Sequence, residues 1–298
     1  MSERIQKALA QAGHGSRRQV EAWVQEGRIL VNGKVATPGD HITEDDKVLL
    51  DGKQLRLKFK QELPRKVIIY HKPVGEICTR NDPEKRTTIY DNLPRLRGGR
   101  WVAVGRLDVN TSGLLLLTTD GALANKLMHP SSGMEREYAV RVLGEVDRDM
   151  LRRMREGVEL DDGKASFDAI RDAGGQGANH WYHVIIKEGR KREVRRLWES
   201  QGVTVSRLIR VRFGDIPLPR GLPAGKFRDL EEASLNKLLR SVGLPAVEKK
   251  HGRAESRARS SPRSTPKKPD EKSKTRRREK PKGHTPVARK KKTASKRK

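Results

Sequence analysis

The sequence predicts an α+β protein. A small α/β module comes first, then a larger domain on a largely antiparallel sheet with flanking helices, then a disordered tail. Three observations carry that expectation. Strand-like runs recur at Val102, Leu114, Tyr138, Phe167, Trp181 and Ser206 and are joined by hairpin-like loops such as Gly174-Gly175-Gln176-Gly177, not by regular helical crossovers. Only two or three helix-period stripes lie between them. The last stretch is nearly devoid of apolar side chains and rich in Lys, Arg, Ser and Pro, so it cannot bury enough surface to offset its ordering entropy.

The module is expected over residues 1–60. Residues 3–12 read as a helix with Ile5, Leu9 and Ala12 on one stripe and Gly13 as its stop. Ser16-Arg17-Arg18-Gln19 has capping-box spacing, and Val20, Trp23 and Val24 form the buried stripe of a second helix ended by Gly27. Ile29-Leu30-Val31 is a strand, Asn32-Gly33 a two-residue hairpin turn, Pro38-Gly39-Asp40 another turn, and Lys47–Leu50 a strand closed by Asp51-Gly52. These stripes consume the apolar residues. Arg4, Lys7, Arg17, Arg18, Arg28 and Lys34 are left outside as a basic face suited to phosphates.

Residues 61–66, with Pro64, read as a linker, 67–245 as the larger domain and 246–298 as the tail. Val67-Ile68-Ile69-Tyr70 is a buried strand running into the His71-Lys72-Pro73-Val74-Gly75 turn. Gly121–Met128 and Asp147–Arg155 are helices, the second with Met150, Leu151 and Met154 on one stripe.

Of 298 residues, 66 are Lys or Arg and 38 are Asp or Glu, a net charge of +28. Residues 248–298 supply +17 of it, and the body retains +11, so a polyanionic partner is indicated even without the tail. No apolar run approaches the ~20 residues of a membrane-spanning helix. The N-terminus lacks the apolar segment of a secretory signal. Cys78 is the single cysteine, which removes intrachain disulfides and Cys-based metal sites and fits a reducing cytoplasm.

The most informative run is Gly105-Arg106-Leu107-Asp108-Val109-Asn110-Thr111-Ser112-Gly113-Leu114-Leu115. It sets one carboxylate in a polar turn between two strand-like runs, Trp101–Leu107 and Leu114–Thr118, which suits a displayed reactive group. The alternative is an Asx-turn in which Asp108 bonds the backbone near Asn110. A second run, Glu188–Trp198, is anchored by Val194, Leu197 and Trp198, with Arg192, Arg195 and Glu199 on another face. An arginine there could hold Asp108 ionised. Asp120, Asp161, Asp162 and Asp215 read as turn formers, and His129 before Pro130 as a capping or turn residue.

Residues 3–34 resemble an S4 RNA-binding domain, through Arg4–Ala10, Gly15–Arg18 and Gly27–Lys34. Behind it, Tyr70–Gly75, Gly105–Leu115 and Glu188–Leu197 together resemble a bacterial rRNA pseudouridine synthase of the small-subunit synthase A group. The resemblance spans about residues 2–245. It implies that Asp108 is the nucleophile, that Tyr138 packs against the target uracil, and that a basic residue of the third motif pairs with the acid: Arg195, with Arg190 and Arg196 as alternatives. It also implies that Arg106 enters the gap left by the target base, and that Lys72 and Pro73 shape the pocket. His71 stands where relatives often carry tyrosine and is given no chemistry. The implied partner is 23S rRNA, or a large-subunit assembly intermediate, modified at one position near the peptidyl transferase region; a monomer is the default expectation, since oligomeric state is not readable from the sequence.

That reaction breaks the N1–C1′ bond of uridine and makes a C5–C1′ bond. Substrate and product are isomers, so no cofactor, energy donor or metal is expected. The carboxylate can attack C6 of uracil or C1′ of the ribose. An aromatic ring must hold the detached base while it turns, and flipping the nucleotide costs a few kcal/mol. Two rival readings are weaker. A non-catalytic RNA-binding protein explains the charge but not a displayed carboxylate in a cationic domain. A glycosidase needs a second acid at a set separation, and none stands out. The tail reads as an electrostatic tether that raises on-rate and salt sensitivity. Truncation after Pro245 should therefore leave the modified uridine unchanged when pseudouridine is mapped in rRNA; a shifted position contradicts this.

Overall fold

The computed structural model describes residues 2–57, 65–96, 99–176 and 179–247. Residues 58–60 of the expected module, 61–64 of the expected 61–66 linker and 248–298 of the expected 246–298 tail lie outside them. The N-terminal elements are β1 (Glu3–Arg4), α1 (Ile5–Gln11), α2 (Arg17–Gln25), β2 (Ile29–Val31), β3 (Lys34–Val35), β4 (His41–Ile42), β5 (Val48–Leu50) and β6 (Lys53–Leu55). Strands pair in the order β3-β2-β5-β6, and β1 pairs with β4. The expected helix over 3–12 is shorter, because Glu3 and Arg4 are drawn into the pairing with β4. The Ser16 hydroxyl accepts from Gln19 N at 3.0 Å and the Gln19 side chain accepts from Ser16 N, the reciprocal cap expected from the spacing. Positive φ at both residues of Asn32-Gly33 and Asp51-Gly52 makes each a primed hairpin turn that matches strand twist. Ile5, Leu9, Val20, Val24, Ile29, Ile42 and Val48 close a small core, while Ala12 is only half-buried.

The larger part comprises β7 (Val67–Lys72), β8 (Val102–Ala103), β9 (Ser112–Thr118), α3 (Gly121–Met128), β10 (Arg136–Leu143), α4 (Arg148–Glu156), β11 (Val158–Leu160), β12 (Gly163–Ala165), β13 (Ala169–Gln176), β14 (Asn179–Ile186), α5 (Glu193–Glu199), β15 (Thr204–Phe213), β16 (Ile216–Pro217), β17 (Phe227–Asp229) and α6 (Glu232–Ser241). Its sheet runs β13-β14-β10-β15-β9-β7-β17, with β8 beside β9 and β16 beside β15. Every pairing in it is antiparallel except β9 with β15. The largely antiparallel α+β expectation is met. The central strands are apolar on both faces. Leu115, Leu117, Ile68 and Tyr70 face a core shared with α4 and α5, while Leu114, Leu116, Val67 and Ile69 face one shared with α3 and α6. That two-sided burial is why Leu114–Leu117 is continuous rather than alternating.

Several sequence expectations move. The run Trp101–Leu107 forms a strand only at Val102-Ala103, because the chain then leaves the sheet to form the Asp108 loop, and the second strand begins earlier, at Ser112. Phe167 lies between strands, its side chain packed in the core. Gly174 and Gly175 sit inside β13, where the register with β14 shifts, while Gly177 of the expected loop lies outside the described residues. Asp147 caps α4 instead of starting it, accepting from Met150 N at 2.7 Å. Arg192 and Glu199 meet at 3.3 Å on the expected face beside Arg195, but Arg195 is buried while Glu199 is exposed. Arg192 is also the left-handed residue that starts α5.

The parallel contact has a specific requirement. Gly113 pairs with Arg210 at φ +110°, and a Cβ there would stand 2.3 Å from the Arg210 carbonyl oxygen. Backbone, not a flexible side chain, blocks the space. Gly113→Ala should cost roughly 3 kcal/mol or more in chemical denaturation, among the largest single-site effects in the chain; a loss below about 1 kcal/mol contradicts the close approach.

Candidate active site

Asp108 sits in the loop between β8 and β9, and the backbone of that loop is gripped from four directions. Lys72, fully buried at the end of β7, donates from Nζ to the carbonyls of Pro73 (2.9 Å), Asp108 (3.1 Å) and Thr111 (3.0 Å). Gly75 N donates to Val109 O at 2.9 Å, and Thr111 N closes the turn onto Asp108 O at 3.0 Å. The Cys78 thiol donates to Leu107 O at 3.3 Å and accepts from Leu107 N at 3.4 Å. Arg195, from α5, donates through Nη2 to Asn110 O at 2.9 Å and through Nη1 to Val205 O at 2.8 Å. Carbonyls 107 to 111 all accept a bond. The Asp108 carboxylate makes no hydrogen bond or ion pair with any described residue, so the Asx-turn alternative is not what the structure contains.

Burial pushes the Lys72 ammonium below its ordinary value, against the pull of nearby carboxylates including Asp108. Burial likewise pushes the Cys78 thiol up, which keeps it protonated and unreactive while it holds Leu107. Tyr70, under the same loop, donates to Glu76 at 2.6 Å, and Asn92 donates to the other Glu76 oxygen at 3.2 Å. That network ties the Pro73–Asn92 segment to the sheet.

Asp108, Arg106 and Tyr138 line one cavity of about 950 Å³, at the upper end of the ~300–1,000 Å³ range of ligand clefts. Tyr138 stands mid-strand on β10, paired on both sides and 9% exposed. Its ring is thus fixed by the sheet while forming part of the cavity wall. Arg106 is exposed. The β14–α5 loop supplies the opposite wall, with Arg190 among its residues.

The three arginines of the third motif separate clearly. Arg196 forks onto Asp162 at 2.7 and 2.8 Å. Arg190 is held by Glu188 at 2.7 Å and by the carbonyls of Gly163 (3.0 Å) and Lys164 (2.8 Å). Only Arg195 reaches the Asp108 loop. It grips the backbone and makes no ion pair within 4 Å among the described residues. Burial pushes its guanidinium down, the nearby Arg192 charge adds to that, and the Asp108 charge opposes it.

The module's basic residues are not equivalent. Arg4, Arg17, Arg18 and Lys34 are exposed. Lys7 is paired to Glu3 at 2.6 Å, and Arg28 to Asp51 at 2.6 Å and Glu26 at 3.0 Å, so these two present less free charge than the sequence suggested. His71 donates from Nδ1 to Leu222 O at 2.7 Å, His129 caps the Pro130–Ser132 turn, and Asp120 caps α3. Asp215 pairs with Lys237 at 3.1 Å.

Three cavity residues were missed by sequence reading: Arg136, Glu193 and Arg210. Arg210 is 2% exposed, donates to Leu114 O at 2.7 Å and leaves Nη2 without a partner. Its signal was available. Leu208 and Arg210 lie two apart on one strand, so an arginine occupies a position whose neighbour is core. Glu193 is 4% exposed and accepts from Arg190 N at 2.8 Å, while its Oε1 has no hydrogen bond among the described residues and only a 3.8 Å ion-pair contact with Arg190 Nε.

A sequence model described as RNA pseudouridylate synthase matches residues 66–200, and one for the S4 domain matches residues 3–48. The ribosomal large subunit pseudouridine synthase B of Salmonella typhi is 56% identical over 265 residues, 86% of this chain and 91% of that protein. The protein of the same name from Yersinia pestis is 58% identical over 246 residues, 82% of this chain and 77% of its own. A crystal structure of a pseudouridylate synthase superposes with a TM-score of 0.56 at 26% identity, covering 79% of this chain and 99% of that one.

Burial holds the Glu193 carboxyl above its ordinary value near 4.5, so the folded protein binds that proton more tightly than the unfolded chain. Stability from this group is complete below about 4.5 and is lost as pH rises through the raised folded value. Thermal midpoints of the wild type and Glu193→Gln should therefore diverge in favour of the variant between acid and neutral pH. Parallel pH profiles would count against a strained, buried carboxyl.

Proposed function

The chain belongs to the RNA pseudouridylate synthase family, in the branch with an N-terminal S4 domain, and from that premise we propose that it isomerises one uridine of 23S rRNA with Asp108 as nucleophile. It is an rRNA-modifying isomerase. The observation that supports the residue assignment is the contrast at the Asp108 loop: five successive carbonyls are held while the carboxylate between them is left unengaged in a cavity. A group presented this way costs little to reorganise when substrate arrives.

The target nucleotide leaves its stack and enters the cavity, and Arg106, two residues from Asp108 and exposed at the cavity, fills the space it vacates. Asp108 attacks C6 of the uracil or C1′ of the ribose. The N1–C1′ bond breaks, the base turns against the Tyr138 ring, and C5 bonds to C1′. The C5 proton is taken by Asp108 or Tyr138, directly or through water, and N1 gains a proton, so atoms balance without a co-reactant. Arg195 acts on this sequence by holding Asn110 O, which sets a positive charge near Asp108.

Exposed Arg4, Arg17, Arg18 and Lys34 give the module, taken as residues 1–60, a phosphate-binding face. The enzyme acts on 23S rRNA or a large-subunit assembly intermediate, as a monomer in the cytoplasm. Asp108→Asn should lower pseudouridine formation by on the order of 10³-fold or more while RNA affinity stays equal or tightens slightly, since one negative charge is lost beside a polyanion. Product formed at the wild-type rate by that variant removes the mechanism.

A further inference from the structure

Three arginines meet where the N-terminal module touches the larger domain. Arg100 donates from Nη1 to the carbonyl of Gly15 at 3.1 Å, and Gly15 precedes the cap of α2, whose first residue is Arg17. The contact is close: a Cβ on Gly13 would lie 3.3 Å from Gly99 O. Arg80 donates to the carbonyl of Trp101, the residue after Arg100, and its guanidinium lies 3.9 Å from the centroid of the Tyr90 ring. Tyr90 in turn forms part of the cavity wall that holds Asp108. Arg17 and Arg80 are exposed and Arg100 is half-buried.

The Arg80 and Arg100 guanidiniums bond backbone carbonyls, and none of the three arginines has a carboxylate within 4 Å among the described residues. Elsewhere many arginines of the larger domain are matched: Arg196 with Asp162, Arg212 with Glu135 and Glu137, Arg86 with Asp82. The like charges at the junction feel one another. Burial first, and then the Arg80 and Arg17 charges, push the Arg100 guanidinium below its ordinary value. Uncompensated like charges gathered at a contact between two folded parts are costly unless an anion joins them.

We infer that Arg17, Arg80 and Arg100 form a phosphate-binding site that carries the RNA backbone from the module to the cavity. A planar fork suits phosphate oxygens, and Arg80 stacked on Tyr90 has its orientation fixed in advance. The site rests on the reading of this chain as an enzyme acting on rRNA. It adds to that reading where the strand runs, and it makes the module's docking against the larger domain partly dependent on bound RNA.

The test uses the full chain and a transcript of large-subunit rRNA, with affinity measured across a salt series. The Arg17→Gln/Arg80→Gln double variant alters exposed residues only, and Arg100→Gln is added separately because its side chain also holds Gly15. Each lost phosphate contact should lower the slope of log affinity against log salt by about 0.7–0.9, and the double variant should bind at least about tenfold more weakly near physiological salt. Arg240→Gln, an exposed arginine on α6, should leave the affinity within about twofold of wild type. Unchanged slope and affinity in the double variant overturn the site, as does an equal loss in Arg240→Gln. Running the series on the Asp108→Asn background separates the two readings. Product formed by Asp108→Asn alone refutes the catalytic assignment, whereas the salt slopes report on the junction whatever the chemistry.

Discussion

A single ammonium group organises the reactive end of this protein. Lys72 is removed from solvent and surrenders its hydration to three carbonyl oxygens, two of them belonging to the turn that bears Asp108. A cation in that position is costly by itself, as its lowered proton affinity records. The carbonyl dipoles offset the cost, and the result is a loop that cannot relax without stranding a buried charge. The remaining clamps, from Gly75, Cys78 and Arg195, act on a backbone already fixed by Lys72. Rigidity of the loop and freedom of its carboxylate are two sides of one arrangement: the protein uses up the main-chain acceptors and leaves the side chain to a ligand.

The second constraint is electrostatic and works over a longer range. A body with a net charge of +11 attracts RNA, yet its chemistry needs an anion inside the cleft. The structure keeps the two apart by distributing its acids. Asp162, Glu135, Glu137 and Asp82 neutralise arginines around the larger domain, while Asp108 and the module's Arg4, Arg17 and Arg18 have no ion-pair partner among the described residues. Arg28 shows how far such matching goes: Asp51 first and Glu26 second hold it well above its ordinary proton affinity, so it is a weaker phosphate contact than its position in the sequence suggests.

Much of this was legible in the residues. The Ser16 cap, both primed turns, the helix over Gly121–Met128 and the two-sided strand at Leu114–Leu117 follow local rules that tertiary context did not override. Asp108 stood out because turn chemistry surrounded one acid between apolar runs, and Tyr138 and Arg195 came from motif resemblance. What stayed hidden depended on contacts distant in sequence. Trp101–Leu107 reads as strand because its apolar content is real, but from Val104 on those side chains serve the loop and the cavity instead of a ladder. Arg195 and Arg196 look interchangeable in the sequence; only the Asp162 turn, more than thirty residues earlier, assigns Arg196 to itself. Arg210 and Glu193 were concealed for the same reason, since burial of a charge is settled by what packs over it.

The one parallel strand pairing has a consequence in time as well as in space. Ser112 pairs with Ile209 and Gly113 with Arg210, partners about a hundred positions apart in a topology where such closures come late and slowly. Val205, which anchors the other arm of Arg195, lies on the same late strand. A polypeptide still lacking β15 therefore has the Lys72, Gly75 and Cys78 clamps on its reactive turn available but not the Val205 anchor of Arg195. Completion of the catalytic end waits for β15, so a chain interrupted before that strand keeps the means to hold RNA but lacks the parallel partner of Ser112-Gly113 and the carbonyl that fixes Arg195.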